Sequence, residues 1–228
     1  MSSKPDAPVI PAAERTIGQL VAETLSFYAG RFWASLALGV GPAIFTVTVA
    51  QLSRDGRITA LLIVWPLVMT ASFVAACFLV SGTPFDARRA IPAALIGVLI
   101  AVPVPLLVAV LILPAVLWLA LLGMAVPAAV IEGTGLRESV RRGFALARAD
   151  FVHAAGTLAT LVLLVVLTHL VLFQALHGLS DTAALVAAFL ASVVISPLLF
   201  IGSARLYYDQ QARAEVKSKS KAHRTKEA

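Results

Sequence analysis

The sequence predicts an all-α integral membrane protein: six transmembrane helices as three hairpins, with cytoplasmic amphipathic interfacial helices. Three observations carry this. The 228 residues are 60% hydrophobic and 13% charged, with mean hydropathy +0.93, where a soluble domain carries about 25% charged residues. The apolar runs are long and do not alternate, which suits spanning helices and not barrel strands. The basic residues gather in alternate connections, as topology signals do.

The elements follow in order. "MSSKPDAPVIPAAERT" carries three prolines and no apolar stretch of a secretory signal, so residues 1–13 are expected to be a disordered lead. An amphipathic segment over about 14–31 precedes the first span, about 32–52. "SRDGR" breaks it, and the second span runs over about 58–80 until "SGTPFDARR". From Ile91 to Ile131 come 41 residues without a charge, Ser, Thr, Gln or His. As one helix they would reach about 61 Å, twice the hydrocarbon thickness. The run must fold back, and Pro114 is the expected turn, giving spans over about 91–112 and 114–131. A basic segment, 134–151, follows. Spans five (about 154–176) and six (about 182–207) are separated by "HGLSD", and a basic tail, 214–228, is expected to be disordered.

Charge tests the count. With both termini in the cytoplasm, 16 of the 18 Lys and Arg fall on that side, leaving Arg54 and Arg57 outside. Five or seven spans would put the basic tail and Arg141/Arg142 on opposite sides, against the positive-inside bias. The absence of Asn and the heavy use of Ala, Val, Leu and Arg suggest a high-GC bacterial genome, hence a bacterial cytoplasmic membrane.

The segment 134–151 reads as a helix lying in the interface. Leu136, Val140, Phe144, Ala147 and Phe151 share one face at a 3.6-residue period. Arg137, Arg141, Arg142 and Arg148 flank or oppose it, suited to anionic lipid phosphates. Thr134 is the expected N-cap, and Glu138 the expected i,i+4 partner of Arg142. The pattern repeats. At an offset of 119, Ile17, Val21, Leu25 and Phe32 match Leu136, Val140, Phe144 and Phe151. "TPFDARRAIPAAL" (83–95) reads as a shorter third version before span three.

"VPAAVIEGTGLRESVRRGFALARADF" with the closing "RLYYDQQAR" resembles the bacterial family containing the membrane domain attached to some glycerophosphoryl diester phosphodiesterases. The resemblance rests on Pro127, Ile131-Glu132-Gly133, Arg141/Arg142, Phe151, Tyr207-Tyr208-Asp209 and Arg213, and covers about residues 16–213. Its motifs are structural, so it implies a membrane domain and no catalytic residues. The chain departs from the family at Gly143, where Ser is common, and near Asp150, where the family has basic or Gly residues. The 228 residues contain no phosphodiesterase domain.

Chemistry is sparse. Phosphodiester cleavage needs carboxylates around a divalent ion and a His for acid–base work. None of the 12 acidic residues falls inside a span, and His153, His169, His177 and His223 have no metal-motif spacing. Cys77 is alone, so it forms neither an intrachain disulfide nor a thiolate site. No catalytic residue, metal or cofactor is therefore expected. His169 is the intramembrane polar candidate, either a proton or ligand site or a residue bonded to a neighbouring helix or reaching the headgroups. Prolines 66, 103, 105 and 197 are expected to kink spans two, three and six. Ala184, Ala188, Ser192 and Ser196 form a small-residue stripe for helix packing. The tail lacks aromatic interleaving, so nucleic acid is not an expected partner. Membrane lipids are, anionic on the cytoplasmic side. The expected function is a non-catalytic membrane module, a scaffold, accessory or lipid-interacting protein. The alternative is a small transporter or channel for a lipid-derived or hydrophobic solute.

Overall fold

A computed structural model describes residues 12–175 and 180–227. It is helical throughout, with no strand among the described residues. Six helices are long and apolar enough to cross a membrane: Phe32–Ala50, Arg54–Ser81, Ala87–Val110, Ile112–Ile131, Phe151–Leu172 and Thr182–Ser220. The protein is an all-α multi-pass membrane bundle. Span six lies against spans one, two and five, and span four is the most enclosed.

Helix α1 (Ile17–Gly30) starts with a capping box: Thr16 Oγ1 accepts from the Gln19 amide and Gln19 Oε1 from the Thr16 amide. Span one is α2 (Phe32–Ala50). Its closing carbonyls are met by Arg57, which donates to Leu52 O at 2.9 Å and Ala50 O at 3.0 Å. Span two begins with α3 (Arg54–Thr59), passes through a π-helical turn (Ala60–Val64) and continues as α4 (Trp65–Ser81). The π turn answers Pro66. A proline lacks the N–H that Leu62 O would take, and the ladder shifts so that the Trp65 amide reaches back to Ala60 O. Gly82, at φ 68°, ends the span with a left-handed cap.

Span three is α5 (Ala87–Ala101) and α6 (Val104–Val110), interrupted at Val102–Pro103. Pro103 and Pro105 remove two donors there, and the Trp118 indole of span four supplies one to Ile100 O at 2.9 Å. Span four is α7 (Ile112–Leu122) and α8 (Ala125–Ile131). The hairpin turn falls at Leu111, in extended backbone (φ −162°, ψ 150°), and not at Pro114. Pro114 sits in the first turn of α7, where its missing N–H has no intrahelical partner to lose.

Helix α9 (Leu136–Ala149) precedes α10 (Phe151–Ala175), and α11 (Asp181–Glu227) ends the described chain. The expected lead, 1–13, lies almost wholly outside the described residues; Ala12–Glu14 forms a 3₁₀ turn. His177 also lies outside them, as does the side chain of His223. The tail differs from expectation. Residues 214–227 are not disordered but continue α11, whose 47 residues extend about 70 Å. Lys217 fastens this extension by donating to Ala149 O at 3.2 Å, at the end of α9.

The internal repeat is structural. Helices α1 and α9 both have 14 residues and begin and end 119 residues apart. Each is joined to its span by one non-helical residue of similar conformation, Arg31 (φ −126°, ψ 42°) and Asp150 (φ −145°, ψ 77°). Burial keeps the register: Leu20, Thr24, Tyr28, Ser35 and Leu38 correspond to Ser139, Gly143, Ala147, Ala154 and Thr157. The third version departs from it. Residues 83–86 form no helix, and α5 starts directly on Asp86, whose Oδ1 accepts from the Arg88 amide.

Candidate lipid interface and the polar end of the bundle

Arg15 and Arg31 flanking α1, the arginines of α9, Arg88, Arg89 and the extension of α11 mark one end of the bundle as basic. Helix α9 there has two apolar faces, where the sequence suggested one. Ser139, Gly143, Leu146 and Ala147 are buried against the bundle. Gly143 makes the approach possible, since a Cβ there would sit 2.4 Å from the Ala125 amide nitrogen. Leu136, Val140 and Phe144 occupy the flank and remain 47%, 38% and 39% exposed. Ala147 and Phe151, expected on that stripe, pack into the core instead, Ala147 buried and Phe151 partly buried against Leu146, Ala154 and their neighbours.

The four arginines divide. Arg137 and Arg141 are exposed, and Arg141 donates to Glu138 Oε1 at 2.8 Å. That hydrogen bond holds the Glu138 carboxyl below the usual carboxylate range. Arg148 lies over the Phe144 ring, 5.4 Å from its centroid. Arg142, still partly exposed, meets Glu132 Oε1 at 3.0 Å, and that hydrogen bond raises its own pKa. The expected Glu138–Arg142 pair is thus replaced by Glu138–Arg141 and Glu132–Arg142, since Glu132, past the end of span four, stands closer to the bundle. Thr134 is not the N-cap. Gly135 holds that position, and Thr134 exchanges a 2.7 Å hydrogen bond with the Ser139 hydroxyl.

Behind α9 lies a polar network that the sequence reading did not assemble. "RLYYDQQAR" is its hub. Arg205 meets Glu23 at 2.6 Å, and Tyr207 donates to Glu132. Asp209 is fully buried; its Oδ2 faces Arg213 Nε at 3.1 Å and His153 Nε2 at 2.8 Å. Arg213 also reaches Asp150 Oδ2 at 2.8 Å and the Arg15 carbonyl. Gln210 donates to Asp150 O at 3.3 Å, and Arg15 pairs with Glu23 at 3.0 Å. Within nine residues of α11, Arg205 to Arg213, side chains thereby tie down α1, span four and the α9–α10 junction. The sequence signal was the polar run directly after an apolar span. Its partners, far away in the chain, carried none.

Several basic residues also close helix C-termini, where free carbonyls and the helix dipole favour cations. Arg31 donates to Leu79 O at 2.7 Å, and Arg89 to Val130 O at 3.4 Å.

The remaining candidates are in the spans. His169 Nδ1 lies 2.8 Å from Val165 O and Nε2 lies 3.3 Å from Ser192 Oγ. The carbonyl can only accept, so Nδ1 carries a proton and bonds its own helix, while Nε2 ties span five to span six. Ser192, on the small stripe, is buried at this contact, while Ala184, Ala188 and Ser196 are half-buried. Span six approaches span one closely beside it: a Cβ on Gly39 would be 2.1 Å from Val193 O. Among the described residues, no three His, Cys, Asp or Glu side chains group to hold a metal. No protein-family profile, curated protein or solved structure matches this chain.

Proposed function

We propose that this protein is a non-catalytic membrane module of a bacterial cytoplasmic membrane, with both termini cytoplasmic, that organises anionic lipid at its basic end. The observation that carries this is the uncovered stripe of α9. Leu136, Val140 and Phe144 stand half exposed beside Arg137, Arg141 and Arg148, while the opposite face is docked on the bundle. A helix fixed by one face, with apolar and basic flanks outward, is suited to the acyl–headgroup boundary. The aromatic and aliphatic side chains at the same end, Trp33, Phe85 and Val152, are among the most exposed in the molecule. They fit an interfacial belt.

The transport reading is supported less well. The interior cavity is lined almost entirely by apolar side chains and carries no charged one. It lacks the ionisable groups at mid-depth that mark transport pathways. Kinship with the membrane domains attached to glycerophosphoryl diester phosphodiesterases remains part of the proposal, resting on the motifs around Glu132, Arg141/Arg142 and Tyr207-Tyr208-Asp209.

The test is the lipid that accompanies the protein when extracted in polymer-bounded bilayer discs. Anionic phospholipid should be enriched over the bulk membrane. Replacing Arg137 and Arg141 by Glu should remove the enrichment, each attraction being about 1 kcal/mol. Discs of bulk composition for both proteins overturn the reading. Glycerophosphodiester turnover with a divalent metal, persisting through rigorous purification, overturns the non-catalytic part.

A further inference from the structure

Between the spans lies a cavity of about 230 Å³. Spans two to six all contribute to its wall, through Thr70, Gly97, Val116, Met124, Leu158 and Phe200. All of these except Gly97 are less than 10% exposed, and Gly97 is buried too. Val108 and Ile112, each 46% exposed, also line the cavity, on either side of the apolar hairpin tip at Leu111. The lining is therefore continuous with exposed apolar surface, which suits a molecule dissolved in lipid.

The wall carries hydroxyls at Thr70 and Ser203 and no charge. Thr70 is unusual among the threonines of this protein. Thr24, Thr46, Thr48, Thr160 and Thr168 each return their hydroxyl to the carbonyl four residues back, at 2.8–2.9 Å. Thr70 does not. It is 4% exposed, its Oγ1 has no partner, and its methyl fills the notch left by Gly97, where a Cβ would lie 2.5 Å from Cγ2. Thr157 is also unpartnered but does not line the cavity. A buried hydroxyl without a partner is costly, and the cost falls when a ligand supplies one.

Size and depth narrow the ligand. An apolar cavity of about 150 Å³ accepts benzene, so this one has room for roughly nine carbons. An ion is excluded, since nothing offsets its desolvation. Thr70 lies 11 residues from the end of span two at Ser81, about 17 Å along the helix. The ester groups of a phospholipid stay at headgroup level and do not reach it.

We propose that the cavity binds a neutral, lipid-soluble molecule, an apolar body carrying a hydroxyl or carbonyl oxygen that pairs with Thr70. The site rests on the membrane bundle and is independent of how α9 meets the surface.

The probe is octanol bearing a photoactivated diazirine, applied to the full protein in phosphatidylcholine nanodiscs, with labelled residues mapped by mass spectrometry. Labelling should saturate on cavity residues such as Phe73 and Val116. At equal concentration in the bilayer, 1-nonanol should displace it about fivefold better than n-nonane, the value of one neutral hydrogen bond. Thr70→Val should abolish that preference while labelling persists. Ala115→Leu, which fills the wall, should remove cavity labelling but not labelling of the outer surface. Non-saturating labelling confined to lipid-facing residues overturns the proposal. So does an undiminished preference for nonanol in Thr70→Val, a near-isosteric variant whose folding is checked by its elution profile.

Discussion

Phe144→Asp separates the two faces of α9. Phe144 is 39% exposed; for a ring side chain of about 200 Å² that leaves about 80 Å² for lipid, or about 2 kcal/mol at 25 cal/mol/Å². Asp would forfeit this, lose the ring beneath Arg148 and place a carboxylate at the acyl boundary. An i,i+4 pair with Arg148 would return about 0.3–0.5 kcal/mol. The docked face, Ser139, Gly143, Leu146 and Ala147, is untouched, so α9 should stay helical and attached to the bundle. The assay is quenching of a bimane at position 140, in a Cys77→Ala background, by phospholipids brominated high on their chains. The parent should be quenched strongly, and Phe144→Asp several-fold less, with or without anionic lipid. Arg137→Glu with Arg141→Glu should lower quenching mainly when anionic lipid is present. Equal quenching in all three proteins would refute the lipid-facing stripe, as would loss of helix in Phe144→Asp.

Removing Arg213 leaves Asp150 and Asp209 without their shared cation, so Arg213→Ala should cost about 3 kcal/mol and lower the unfolding temperature in detergent; an unchanged temperature would show the network to be idle. Gly39→Ala puts a Cβ against Val193 O and Gly143→Ala one against the Ala125 amide, while Gly30 has nothing within 4 Å. The first two should each lose at least 1–3 kcal/mol to overpacking, visible as aggregation on size-exclusion chromatography, and Gly30→Ala should elute like the parent. For topology, a cysteine at Ser53 should react with an impermeant maleimide outside intact cells, and cysteines at Gly135 and Ser218 should not. A cysteine at Leu111, at the tip of a hairpin whose neighbours Val110 and Leu113 are 74% and 62% exposed and apolar, should react poorly even in opened cells. Rapid labelling there would place the tip in water.

The sequence by itself determined the helical bundle, the number of spans and the repeat at 119 residues. These are set by solvent: a backbone in lipid must bond within its own segment, so apolar length translates directly into helices. It also marked α9 as basic and amphipathic. What it left open depends on neighbours. The turn between spans three and four fell at Leu111 because Pro114 is tolerated in a helix's first turn and nothing polar marks the reversal. The stripe of α9 split because Gly143 lets α8 approach one side, a contact between helices that periodicity alone does not register. Arg142 chose Glu132 over Glu138 for the same reason: both lie within reach along the chain, and the bundle decides which is near. The tail stayed helical because Lys217 and Arg213 hold its base to the end of α9 and to Asp150. The cavity is the extreme case. Its wall takes residues from five spans, and Thr70, a fully buried hydroxyl there without a partner, looks in the sequence like every other threonine in a span. Only packing decides which hydroxyl finds its own helix and which is left without a partner.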